Sequence, residues 1–142
     1  MDLEQLQLEA DKDLKLNDLE LDLESLKTPQ LHNKYLKHYT KFKLLLTRSE
    51  DELKTLKRDK WEYYTGKASP EVYQVKPFDL KILKTDIDKY LEADEDIQKL
   101  SQKVMYLNTV VDFLDRTLRV IVNRTYTIKN AIEWKRFTSG AL

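Results

Sequence analysis

The sequence predicts an all-α protein, a long helical hairpin whose C-terminal heptad-repeat helix also associates with further copies of the chain. Its 142 residues contain only two glycines and three prolines, well below the average glycine content of roughly 7%, which favours long helices over turn-rich sheets. An apolar stripe at helical spacing runs from Tyr35 to Tyr63. Apolar residues then keep a seven-residue repeat from Ile97 to Ile132, which is typical of a coiled-coil seam.

Residues 1–27 form an acidic, leucine-rich segment that we expect to be helical. Residues 1–26 carry nine acidic and two basic side chains. The leucines fit both helical spacing and strand alternation, so periodicity alone does not decide between them. Asn17 followed by Glu20 resembles a capping box, which favours a short helix that begins near Asp18.

Residues 28–66 are predicted to form one long basic helix. Thr28 followed by Pro29 is a typical helix start, because threonine caps the N-terminus and proline suits the first helical position. No glycine or proline follows before Gly66, which is expected to end the helix. Residues 27–67 carry eleven basic and five acidic side chains, so this helix is strongly basic.

A loop and a second long helix follow. Residues 67–78, which contain two prolines, are the predicted loop. Residues 79–142 are the predicted oligomerisation region, with one helix from about Asp86 to Phe137 whose N-terminus is capped by the acidic run "EADEDI". The seam is to be covered by the preceding helix, by other copies of the chain, or by both. The predicted oligomerisation residues are Val111, Leu114, Leu118, Ile121, Ile128, Ile132, Trp134 and Phe137.

Composition argues against an enzyme, a metalloprotein and a membrane protein. The chain has no cysteine, and its two glycines cannot form a phosphate-binding loop. His32 and His38 are six residues apart, a spacing that places them on different helix faces and gives no metal pair. No apolar run approaches the ~18 residues of a membrane span, and the N-terminus lacks the basic start of a secretory signal. We therefore expect no catalytic residue, cofactor or metal, and an intracellular location.

The stretch "KRDKWEYYTGK" (residues 57–67) holds four basic and three aromatic side chains and is the predicted functional site. Helical spacing places Lys54, Arg58 and Trp61 on one face, away from the apolar stripe. Exposed rings beside cations suit single-stranded nucleic acid, because bases stack on aromatic rings and phosphates need positive charge. The alternative is that Trp61 packs against another subunit and the lysines only solvate the helix. The candidate DNA-binding residues are Lys54, Lys57, Arg58, Lys60, Trp61, Tyr64 and Lys67.

The blocks "YYTGKASPEVY", "KPFDLKILKTD" and "NRTYTIKNAIEWKRF" resemble the UvsY family of T-even-type bacteriophages, and the resemblance covers most of residues 57–137. In that family, DNA contact is associated with a basic pair just before a tyrosine pair. Here this motif falls on Arg58 and Lys60, with the order of lysine and arginine reversed relative to the best-known version. The stacking role of Trp61 rests on the helical spacing and not on the resemblance.

The resemblance implies a recombination mediator that acts in the cytoplasm of the infected bacterial host. Its implied partners are single-stranded DNA, a RecA-like phage recombinase of the UvsX type and the phage single-stranded-DNA-binding protein, and its implied assembly is a homo-oligomeric ring. The acidic N-terminal segment either docks on the recombinase, shields the basic patch, or is a solvated helix. The alternative function is a helical assembly or chaperone-like scaffold module that binds no nucleic acid.

Overall fold

The structure is a computed structural model that describes residues 1–140. Within these residues it contains helices and no strands, which confirms the all-α prediction. A short 3-10 helix, Lys84–Asp86, precedes α4. The α-helices in chain order are α1 (Leu3–Asp13), α2 (Leu21–Tyr64), α3 (Pro70–Val75), α4 (Ile87–Glu92) and α5 (Glu95–Thr138).

The acidic N-terminal segment contains a helix, α1, at a different place from the one predicted. The capping box is formed by Asp2 and Gln5, which exchange backbone-to-side-chain hydrogen bonds of 2.8 and 2.9 Å. The predicted box at Asn17 is instead a tight turn, in which the Asn17 side chain accepts a hydrogen bond from the Leu19 amide. The predicted helix start near Asp18 was therefore wrong, and the next helix begins at Leu21.

Helix α2 runs through Thr28 and Pro29, so the predicted start at these residues was wrong. The guanidinium of Arg124 donates hydrogen bonds to the carbonyl oxygen of Glu24 at 2.8 Å and to its carboxylate at 2.5 Å. It also reaches the Thr28 hydroxyl at 3.4 Å. Arg124 is thus hydrogen-bonded to the turn before Pro29, which lies in the helix interior although proline alone favours a helix start.

The predicted end of this helix is confirmed, whereas the predicted loop was wrong in one respect. Gly66 adopts a φ of 76°, and the amide of Lys67 bonds back to the carbonyl oxygen of Glu62, as in a Schellman motif. The segment 67–78 is not loop throughout, because it contains α3. Pro70 occupies the first helical position of α3 and starts the helix instead of preventing one.

The last helix also begins later than predicted. A 3-10 helix and α4 occupy residues 84–92, and α5 starts at Glu95 and not near Asp86. The reason is Asp94, whose carboxylate accepts the backbone amide of Ile97 at 3.0 Å and so caps α5. The prediction that the "EADEDI" run caps this helix is therefore confirmed.

The chain divides into two compact units, and in each of them α2 is tied to α5, which confirms the helical hairpin. The first unit comprises residues 1–42 and the described residues from 109 onward. Its core includes Leu6, Tyr35 and Leu114, and its buried ion pair joins Arg124 to Glu24. The second unit comprises residues 43–108. Its core residues are Leu46, Tyr63, Ile87, Ile97 and Leu107. No helix of residues 1–140 is both long enough and apolar enough to cross a membrane.

Candidate nucleic-acid interface

The seven candidate DNA-binding residues fall into two groups, both within the second unit. Lys60 and Tyr64 are half-buried and contact the N-cap residue of α5. The other five are exposed on the last turns of α2 and just after its end, and together they are called the basic–aromatic surface below. These five are Lys54, Lys57, Arg58, Trp61 and Lys67.

Trp61 is the exposed aromatic group of this surface, with 39% of the residue accessible to solvent. The cation that lies over its ring is Lys67, whose Nζ is 4.4 Å from the ring centroid. Gly66 makes this possible, because its left-handed backbone turns the chain back over the end of α2. A cation on an exposed ring is worth only about 0.5–1 kcal/mol, so a stacking base can replace it.

The other cations of the surface are weakly held. The Nη2 and Nε atoms of Arg58 lie 3.0 and 3.3 Å from one carboxylate oxygen of its neighbour Asp59. An exposed pair of this kind contributes at most about 1 kcal/mol, and a phosphate can compete for the guanidinium. Lys54 and Lys57 pair with no carboxylate within residues 1–140. These side chains are therefore available to an anionic ligand.

Beneath the surface, Asp94 gathers three donors on one buried carboxylate. The Tyr64 hydroxyl donates to Oδ2 at 2.6 Å, and Lys60 Nζ lies 3.2 Å from the same oxygen. The other oxygen, Oδ1, accepts the Ile97 amide. Lys60 also pairs with the exposed Asp96 at 2.7 Å. The end of α2 is thereby fastened to the start of α5.

These contacts fix the charge states of the three groups. Burial acts to raise the pKa of Asp94, but hydrogen bonds from Tyr64, the Ile97 amide and Lys60 outweigh it and hold the pKa below its ordinary value of 3.8. Burial acts to lower the pKa of Lys60, but its hydrogen bonds to Asp96 and Asp94 outweigh it and raise the pKa. Burial raises the pKa of the Tyr64 hydroxyl, and its bond to Asp94 adds to the effect. At neutral pH the carboxylate and the ammonium are charged and the phenol remains a neutral donor.

A cluster of five rings supports the end of α2. Tyr63 is buried and stacks on Tyr73, with ring centroids 5.5 Å apart, and the Tyr73 hydroxyl donates to the Tyr63 carbonyl oxygen at 2.8 Å. Phe78 packs 5.3 Å from Tyr63 and 5.2 Å from Tyr64, and Tyr90 completes the cluster. Because interlocking rings of this kind resist movement, the last turn of α2 has a preformed base.

Helical spacing placed Lys54, Arg58 and Trp61 away from the apolar stripe, and the structure exposes all three, but this spacing did not reveal the partners of the two half-buried residues. Asp94 and Asp96 were recognised only as helix-capping residues. They lie 34 and 36 positions after Lys60 in the chain, and residue spacing on one helix does not reveal contacts between residues so far apart. No group of three or more histidine, aspartate or glutamate side chains in the described part of the chain is arranged to hold a metal ion.

The predicted oligomerisation residues also divide by exposure. Three of them, Ile132, Trp134 and Phe137, are exposed near the end of α5, and the rings of Trp134 and Phe137 stack at 5.7 Å. Leu118 is half-buried. Buried within the first unit are Val111, Leu114, Ile121 and Ile128. The role of these residues in self-association stays a prediction.

The family described as recombination, repair and ssDNA binding protein UvsY matches residues 9–141. Recombination protein uvsY of Enterobacteria phage T4 is 26% identical to this chain over 140 residues, which are 99% of both chains. A crystal structure of the bacteriophage T4 recombination mediator protein UvsY superimposes with a TM-score of 0.86 at 26% identity and covers 98% of both chains. A second lattice of the same protein gives a TM-score of 0.83 at 25% identity, with 97% of this chain and 99% of the other covered. The chain therefore belongs to the UvsY family of recombination, repair and single-stranded-DNA-binding proteins.

Proposed function

We propose that the chain is a non-enzymatic recombination mediator that binds single-stranded DNA through its basic–aromatic surface. The observation that carries this proposal is the exposed ring of Trp61 under a displaceable lysine, on a helix end that carries further exposed and weakly held cations. Membership of a family described as single-stranded-DNA-binding supports it. Duplex DNA hides its base faces, so an exposed indole favours single strands.

The contacts divide between the two groups of residues. Lys54, Lys57 and Arg58 neutralise phosphates, while Trp61 stacks on a base. Lys60 acts differently, since its ammonium is already bound to two carboxylates. It contributes by holding the last turn of α2 in place, together with Tyr64.

Self-association multiplies these contacts. Ile132, Trp134 and Phe137 form the exposed part of the oligomerisation surface, and the buried heptad residues behind them keep α5 in position. A ring of subunits would repeat the basic–aromatic surface, so one strand would touch several weak sites at once. Multivalent contact of this kind raises avidity without any new type of contact.

Mediation follows from that arrangement. A strand wrapped over several subunits is bent into a form that the phage single-stranded-DNA-binding protein holds poorly and a RecA-like recombinase holds well. The chain then helps the recombinase of the UvsX type to nucleate in the cytoplasm of the infected host. A monomeric variant that loads recombinase as efficiently as the intact chain would contradict this mechanism.

A fluorescence-anisotropy titration of a labelled oligothymidylate tests the DNA site. The variant Lys57→Gln/Arg58→Gln removes two phosphate contacts without touching the support beneath, and Lys99→Gln/Lys103→Gln is the matched control on α5. Each released counterion contributes about 0.7 to the slope of log affinity against log salt for single strands. The first variant should bind more weakly with a slope lower by about 1.4 for each engaged subunit. Equal binding by wild type and both variants would place the site elsewhere, and no binding by wild type would favour a scaffold module.

A further inference from the structure

A pocket of about 780 Å³ lies beside the basic–aromatic surface, within the second unit. One wall is the end of α2 with Trp61 and Lys67, and the other is the segment that follows α3. That segment contributes Phe78, Leu80, Lys81 and Lys84. The volume falls within the ~300–1,000 Å³ of typical small-molecule sites.

The charge around this pocket is strongly positive. Three lysines line it, and Asp79 is the single acidic residue in the lining. Lys81 and Lys84 are exposed, and neither pairs with a carboxylate within residues 1–140. Unpaired ammonium groups at the rim of an apolar cavity favour a ligand that is anionic at its edge and flat in its interior.

The apolar part of the pocket is both aromatic and supported from behind. Phe78 is half-buried and belongs to the ring cluster at the end of α2, so this wall is preformed. Leu80 is 63% exposed and adds an aliphatic surface. Flat apolar walls of this kind accept the π face of a nucleobase.

We propose that this pocket holds one unstacked nucleotide of the bound strand. Its base lies against Trp61, Phe78 and Leu80, and the neighbouring phosphates are neutralised by Lys81 and Lys84. The proposal rests on the function proposed above and extends the base-binding site from Trp61 on α2 to the segment that follows α3. An acidic peptide would satisfy the lysines but would leave the aromatic walls without a flat partner.

Lys67 links the pocket to the basic–aromatic surface. Without DNA its ammonium covers the ring of Trp61. A base that stacks on this ring displaces the ammonium, which then lies at the rim of the pocket beside a phosphate. The same lysine thus covers the apolar ring in the free protein and binds the backbone in the complex.

The base contact is tested with the intact chain and two oligomers of equal length, an oligothymidylate and an abasic strand. The ratio of their dissociation constants should exceed about fivefold for wild type, because stacking is worth roughly 1–3 kcal/mol per base. Leu80→Gln should reduce this ratio, whereas Leu44→Gln, at an equally exposed leucine on α2, should leave it unchanged. An unchanged ratio for Leu80→Gln would overturn the proposal.

The phosphate contact is tested with Lys81→Gln/Lys84→Gln against the control Lys99→Gln/Lys103→Gln. The first pair should lower the salt slope by about 1.4 for each engaged subunit, and the second should not. Equal effects of the two double variants would show that the pocket lysines act only through general surface charge, and this would overturn the proposal. If Lys57→Gln/Arg58→Gln weakens binding while both pocket variants bind like wild type, the pocket fails and the DNA-binding function stands.

A competition arm separates a nucleotide of the strand from a free nucleotide. A large excess of thymidine monophosphate should not displace the oligothymidylate, since one nucleotide lacks the neighbouring phosphates. Displacement would assign the pocket to a free nucleotide and contradict the proposal. A synthetic acidic peptide that displaces DNA from wild type but not from Leu80→Gln would assign the pocket to a protein partner. That result would also contradict the proposal.

Discussion

Replacement of Asp94 by asparagine should destabilise the protein more than the same replacement at Asp96, although both carboxylates pair with Lys60. Asparagine is as good a helix N-cap as aspartate, so Asp94→Asn removes charge while the cap is retained. The side chain of Asp94 is 2% exposed, whereas that of Asp96 is 64% exposed. Only the first substitution leaves a half-buried donor, Tyr64, without its charged acceptor.

The magnitude follows from the contacts. Breaking a fully buried ion pair costs about 3–5 kcal/mol. Lys60 retains Asp96 in the Asp94→Asn variant, so we expect about 2 kcal/mol, most of it from the weakened bond to Tyr64. The exposed Asp96→Asn should cost less than about 1 kcal/mol. For a chain of this size, 2 kcal/mol lowers the melting temperature by roughly 4–8 °C.

The melting temperatures of both variants and wild type are compared in thermal unfolding. All are measured at one protein concentration, because self-association makes the melting temperature depend on concentration. The pKa of Asp94 is lowered in the folded state, so its contribution is present above the ordinary value and is lost as pH falls through the lowered one. The pKa of Lys60 is raised, so its contribution is lost only as pH rises through the raised value. The difference between wild type and Asp94→Asn should therefore be constant near neutrality and shrink below about pH 4. A cost for Asp94→Asn no greater than for Asp96→Asn would refute the reasoning.

Three further predictions concern other parts of the chain. Gly66→Ala should destabilise the protein by about 1 kcal/mol in thermal unfolding and weaken DNA binding, because alanine disfavours a φ of 76°. Unchanged stability would contradict the role of Gly66 in the turn after α2. Trp134→Glu should lower the mass of the assembly in analytical ultracentrifugation, while Lys129→Glu, on another side of α5, should not. Equal masses for Trp134→Glu and wild type would contradict the proposed oligomerisation surface at the end of α5. Arg124→Met should cost about 2–3 kcal/mol, since Glu24 would stay buried with only the exposed Lys27 as its partner, and a loss below 1 kcal/mol would contradict the importance of the ion pair with Arg124.

The sequence was sufficient for the features that depend on neighbouring residues. The all-α fold, the end of α2 at Gly66 and the cap at the start of α5 each follow from local backbone preferences. Exposure of Trp61 followed from helical spacing alone.

The sequence did not predict the features that depend on contacts between residues far apart in the chain. Pro29 lies inside a helix, and the turn before it is hydrogen-bonded to Arg124, almost a hundred positions away. Helical spacing placed Lys60 as a polar exception in the apolar stripe, but it could not reveal Asp94 and Asp96, the carboxylates that bind it. The heptad pattern reported burial but could not distinguish burial within one subunit from burial between subunits, as Leu114 illustrates.

The most direct test of the central claim measures recombinase assembly on single-stranded DNA that is already coated with the phage single-stranded-DNA-binding protein. The lag before filament growth is recorded without mediator, with wild type, and with Lys57→Gln/Arg58→Gln. Wild type should shorten the lag, and the variant should not, although it should retain the melting temperature of wild type. A variant that shortens the lag as well as wild type would show that the basic–aromatic surface is not where mediation occurs.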